Sequence, residues 1–115
     1  MANQVTVNLT DNSDAVRNAL PEVLEKALSE IGIKAEAHAK EIITEKGAVD
    51  TARLRNSITH ALDGTKAVHI GTNVEYAPYI EAGTSRMKPR PYLRPAVEDF
   101  EDEYKEILEN NLKNG

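Results

Sequence analysis

The residues of this sequence that could do chemistry are three histidines, one serine in a polar turn and two groups of basic side chains. His60 and His69 stand nine apart around a predicted hairpin, and His38 lies on a helical stripe. A good metal site needs three or four convergent ligands. The pairing expected for the hairpin puts His60 and His69 on opposite faces, with no carboxylate on a matching position, so no metal and no cofactor is expected. Ser57 lies between Asn56 and Ile58 without the glycines of a nucleophile elbow. Walker and dinucleotide glycine patterns are missing. The carboxylates are many, but they share helix faces with lysines and define no acid–base pair in a cleft. An enzyme is not expected.

The basic groups point to binding instead. Arg53 and Arg55 stand two apart on a short predicted helix, suited either to ion pairs within the chain or to a subunit contact. Arg86, Lys88, Arg90 and Arg94 form a stretch with no acid, and Tyr92 and Leu93 are interleaved with them. Tyr and Arg together are typical of binding hot spots. Residues 65–95 hold two acids and five bases, whereas residues 96–115 hold seven acids and two bases, a net of −5. A basic centre beside an acidic end favours a directed contact over general affinity for nucleic acid.

The elements that must position these residues follow from periodicity. "QVTVNL" alternates Val5, Val7 and Leu9 with polar residues, as a half-buried strand does. A short helix follows, with Ser13 or Asp14 as N-cap, and Pro21 restarts the helix at a first-turn position that tolerates it. From Pro21 to about Lys46, Leu24, Ala27, Leu28, Ile31, Ala35, His38 and Ile42 recur along one stripe, predicting a helix of about 39 Å. Within it Gly32 costs roughly 1 kcal/mol relative to alanine, so a close contact or bend is expected there.

Gly47 supplies a stop, and Thr51 is predicted to cap a short helix from Ala52 to Asn56. "SITHAL" and "KAVHIGT" read as two strands joined by a three-residue loop that pairs Ile58 with Ile70 and His60 with Val68. "VEYAPYIEAG" is a short helix or turn ended by Gly83. "TSRMKPRPY" reads as an exposed, extended basic arm over residues 84–94, and Pro95 opens one terminal helix carrying Val97, Phe100, Tyr104, Ile107, Leu108 and Leu112. The fold class is therefore α+β: a small, mainly antiparallel sheet packed against one long helix, with short helices and a C-terminal helix. The 115 residues make one domain, 1–115, whose core of Ala, Val, Leu and Ile is thin because only 4% of residues are aromatic. The absent cysteines exclude a disulfide scaffold and suit a reducing compartment. No membrane span or signal peptide is visible, so a soluble protein made in the cytosol is expected.

The order of these pieces carries a resemblance. "VDTARLRNSI", "IGT", "YAPYIEAGT" and "PRPYLRPA" resemble, in order and spacing, the "PVDTGRLRNSI", "IGT", "YAPYVEFGT" and "PRPFLRPA" of the tailed-bacteriophage neck family, the head–tail joining or minor tail-component proteins. The matching positions are Val49, Asp50, Thr51, Arg53, Leu54, Arg55, Ser57 and Ile58; then Gly71, Thr72, Tyr76, Ala77, Tyr79, Glu81, Gly83 and Thr84; then Pro89, Pro91, Leu93, Arg94, Pro95 and Ala96. Ala48 and Ala52 depart from the usual Pro and Gly. The resemblance implies a non-catalytic virion protein of phage or prophage, one subunit of a ring between head and tail through which viral DNA passes. Its partners would be its own copies and the connector and tail proteins, and its localisation the virion. It makes "VDTARLRNSI" a structural joint, with Arg53 and Arg55 left for partners. The alternative from another class is a prophage-encoded DNA-binding protein using the basic arm on phosphates, although no reader motif carries that arm. A small regulator or antitoxin fits the size and charge but has no motif to support it.

Overall fold

The computed structural model describes residues 4–8, 14–46 and 51–114, apart from the side chains of Asn8, Asp14, Ala15 and Thr51. The elements are β1 (Gln4–Asn8), α1 (Asp14–Arg17), α2 (Pro21–Lys46), α3 (Thr51–Ser57), β2 (Thr59–Asp63), β3 (Ala67–Gly71), α4 (Ala77–Ala82), α5 (Leu93–Glu98) and α6 (Glu101–Asn114). The three strands form an antiparallel sheet in the order β1-β3-β2. The fold is α+β. The expected caps at Ser13 and Asp14, the strand end at Leu9, the stop at Gly47 and the hydroxyl of Thr51 lie outside the described residues and side chains.

The alternation of β1 places Val5 opposite Ile70 and Val7 opposite Val68, so the apolar residues of both strands share one face. On that face α2 crosses β2 and β3, and α5 lies against β1. The stripe read from the sequence is the one that α2 buries from Leu24 through Ala35; beyond it Ala39 and Ile43 are buried, while the expected His38 and Ile42 are only half-buried. Gly32 lets helix and sheet approach closely. A Cβ there would come within 2.6 Å of His60 Cδ2 and 2.9 Å of Val68 Cγ2. A second, smaller cluster of Leu24, Ala27 and Leu108 joins α2 to α6.

Two expectations need correction. The hairpin loop does have three residues, but they are Gly64, Thr65 and Lys66, with Gly64 at φ 58. His60 therefore faces Ile70 rather than Val68, and each β2 residue meets the β3 residue two positions further on than expected. The reason lies at the strand's start: Ile58 closes α3, donating its N–H to the Arg55 carbonyl, and is buried in the core instead of opening β2. A shift of two keeps every side chain on its face, so His60 and His69 remain on opposite sides. The terminal helix is two helices, broken at Asp99 and Phe100. The break turns the Phe100 ring flat onto His38, centroids 3.6 Å apart, and α6 packs along α2. Tyr104 then donates its hydroxyl to the Ala96 carbonyl across the break.

Candidate functional site

The stretches singled out by sequence converge on one another. Arg53, on the first turn of α3, grips Glu75 with both terminal nitrogens, at 3.1 and 3.4 Å, and its guanidinium lies 5.5 Å from the centre of the Tyr76 ring. Glu75's own backbone N–H, and then Arg53, hold its carboxyl below the usual carboxylate range. Arg53 is thus engaged within its own chain. Arg55 is half-buried and has no ion pair among the described residues.

Ser57, at the end of α3, donates its hydroxyl to the Leu54 carbonyl at 2.7 Å and accepts from Thr72. Thr72 in turn accepts the backbone N–H of Val74 at 3.1 Å. The proton of Ser57 is committed to a carbonyl, so it is not a poised nucleophile. This chain of bonds ties "RNS" to "IGT".

Glu81 is the residue that sequence reasoning missed. Its Oε1 accepts the backbone N–H groups of Tyr92 and Leu93, at 3.1 and 3.0 Å, and its Oε2 that of Arg94 at 3.3 Å. These are the unpaired donors of the α5 N-terminus, and the next residue, Pro95, has none to offer. Spacing cannot reveal such a clamp, since Glu81 and Tyr92 are eleven residues apart with an irregular loop between them.

That loop also differs from the extended arm expected over residues 84–94. Gly83 adopts φ 76 and ends α4, and a Cβ there would meet Pro89 N at 2.7 Å and Met87 O at 2.8 Å. Thr84 and Met87 then close a tight bridge, and Arg90 donates its N–H to the Ile80 carbonyl at 2.7 Å. The segment folds back along α4 because its backbone donors find carbonyls there. Tyr92 and Leu93, expected as partner anchors, are 0% and 1% exposed and belong to the chain's own core. Burial, followed by the nearby Glu81 and Tyr76, pushes the Tyr92 hydroxyl well above the usual phenol range.

The bases of the loop are displayed outward. Arg86, Lys88 and Arg94 are exposed and carry no ion pair among the described residues, while Arg90 is half-buried. At the other end of α5, Glu98, Asp99, Glu101 and Asp102 are exposed as well.

The histidines are dispersed, each on a different carboxylate: His38 on Glu103 at 3.1 Å, His60 on Glu36 at 3.0 Å, and His69 on Asp63 at 3.4 Å and Thr6 at 2.8 Å. Burial works against the charge of Glu36, but hydrogen bonds from His60 and Lys40 outweigh it and hold that carboxyl below the usual range. Among the described residues no three such side chains are grouped to hold a metal ion. An open depression of about 320 Å³ is lined partly by Ser57, Thr59, His69 and Thr72, of which Ser57, His69 and Thr72 are already bonded within the chain.

Residues 3–83 match the model of a protein family described as "Bacteriophage HK97-gp10, putative tail-component". The matched stretch contains α2, the α3 joint, the hairpin and Glu81, and stops short of the basic loop. No curated protein and no solved structure matches the chain.

Proposed function

The chain belongs to the HK97-gp10 tail-component family of bacteriophages, and from that premise we propose that it is a non-catalytic subunit of a ring in the phage neck, joining the DNA-filled head to the tail. The virion is then its place of work, and its partners are its own copies and the connector and tail proteins that adjoin the ring. The observation that carries the reading is the loop of residues 84–94. Backbone bonds to Ile80 and the Glu81 clamp hold it in one shape, and Arg86, Lys88 and Arg94 stand on it exposed and unpaired among the described residues. A loop already ordered loses little entropy on docking, and unpaired bases suit an acidic rim on the adjoining protein.

The test is charge reversal. Arg86→Glu, Lys88→Glu and Arg94→Glu together leave the thermal midpoint of the isolated protein nearly unchanged, because none of these side chains packs in the core. In a phage carrying the triple variant, filled heads and finished tails accumulate unjoined in electron micrographs of the lysate. Infectious particles at normal yield would overturn the reading.

A further inference from the structure

Among the described residues the sheet ends in two edges without a partner strand. The order β1-β3-β2 leaves the outer edges of β1 and β2 unpaired among the described residues. Neither strand contains the proline or lysine that commonly blunts an edge, and Asp63, at the end of β2, is the only charge on either. Two exposed apolar side chains flank the β2 edge, Leu62 at 40% and Ile33 at 56%. Leu62 shares its face with His60. Ile33 lies three residues before Glu36, the partner of His60, and so on the same side of α2. At the opposite edge Val5 and Val7 stand on that same face and are only partly buried. The row Val7, Val68, Leu62 thus crosses the sheet with a half-covered apolar residue at each end.

The exposed bases of the loop and the acids Glu98, Asp99, Glu101 and Asp102 do not stand at opposite poles of the subunit. The basic loop and the acidic stretch adjoin the two ends of the six-residue helix α5, roughly 9 Å long at 1.5 Å per residue. The strand edges do lie on opposite sides.

We propose that neighbouring copies join edge to edge, β2 of one subunit against β1 of the next, so that the sheet continues across the junction. This rests on the ring reading above. The occupant of the β2 edge is a second copy because the chain's own β1 matches it in length, in lack of charge and in its apolar row. Both strands run antiparallel to β3 and hence parallel to each other, so the junction is parallel and heterologous, the kind that closes into a ring.

The chain has no cysteine, which allows a clean cross-linking test on the full-length protein. Gln4 and Ala61 are exposed and stand on the outer face of β1 and β2. With a short bismaleimide linker, the Gln4→Cys, Ala61→Cys double variant yields a ladder of covalent oligomers, and each single variant stays monomeric. Light scattering on the unmodified chain is run alongside. If that chain is oligomeric but the double variant gives no ladder, or Ala61→Cys alone gives dimers, the edge junction is wrong and the ring reading stands. If it is monomeric at every concentration and absent from rings in assembled particles, the ring reading fails and the junction with it. Leu62→Lys is a second check: it lowers the oligomeric fraction at an unchanged helical circular dichroism signal, and undiminished assembly would overturn the junction.

Discussion

The hydroxyl of Tyr92 is buried and finds no hydrogen-bond partner among the described residues. Leaving a buried polar group unpaired costs roughly 1–3 kcal/mol, so Tyr92→Phe is expected to stabilise the fold by about 1 kcal/mol. The family pattern that the sequence resembles has phenylalanine at this position. Denaturant unfolding with an unchanged slope and a raised midpoint is the expected result, and a lowered midpoint would show that the hydroxyl is bonded. Glu36 supplies a second residue-scale test. Its carboxyl is held below its ordinary value in the folded chain, so the folded state binds that proton less readily than the unfolded state does. The resulting stability is fully present above the unfolded value and is lost as pH falls through the folded one. Glu36→Gln should therefore flatten the acid side of a plot of melting temperature against pH, below the ordinary carboxylate range, and an unchanged acid slope would show that the His60 and Lys40 bonds do not persist in solution.

At the scale of elements, Glu81 holds α5 to α4. Removing its carboxylate strands three backbone donors, so Glu81→Ala is expected to cost about 2–3 kcal/mol, with Glu81→Gln, which keeps one acceptor oxygen, costing less. Equal losses in the two variants by chemical denaturation would mean that packing matters there, not acceptance of hydrogen bonds. Glu81 also marks where sequence reading stops. The bounds of α2 were legible because its apolar stripe and Pro21 are local signals, and so were the faces of the hairpin, because alternation is local. The register of β2 was not, since it depends on whether Ile58 ends a helix or opens a strand. The break at Asp99 was hidden for the same kind of reason: Val97, Phe100 and Tyr104 keep a helical spacing across it, and only the distant His38 rewards the turn. Prolines and bases made residues 84–94 look like a solvent-exposed arm, whereas the burial of Tyr92 and Leu93 is imposed by Glu81, Ile80 and the sheet. Of the candidate site, the outward bases were readable from composition; the pairing of Arg53 with Glu75 and of Ser57 with Thr72 spans 22 and 15 residues and was not.

At the scale of the whole molecule, the region that matches the family ends at residue 83, yet the core does not. Tyr92, Leu93, Ala96 and Tyr104 pack in the same cluster as Leu28, Ile31, Ala35 and Ile43 of α2 and Val68 and Ile70 of β3. Leu108 closes the second cluster over Leu24 and Ala27. A chain cut after residue 83 would leave this side of α2 facing water over most of its length. Fully burying one large apolar side chain is worth roughly 1.5–3 kcal/mol, so losing the partners of several exceeds the roughly 5–15 kcal/mol by which a domain is usually stable. Residues 1–83 are therefore expected to lack a cooperative thermal transition by circular dichroism and to bind a hydrophobic dye, while the full chain melts in one step. A sharp melt of the 1–83 fragment would show that α5 and α6 are an appendage on a self-sufficient core.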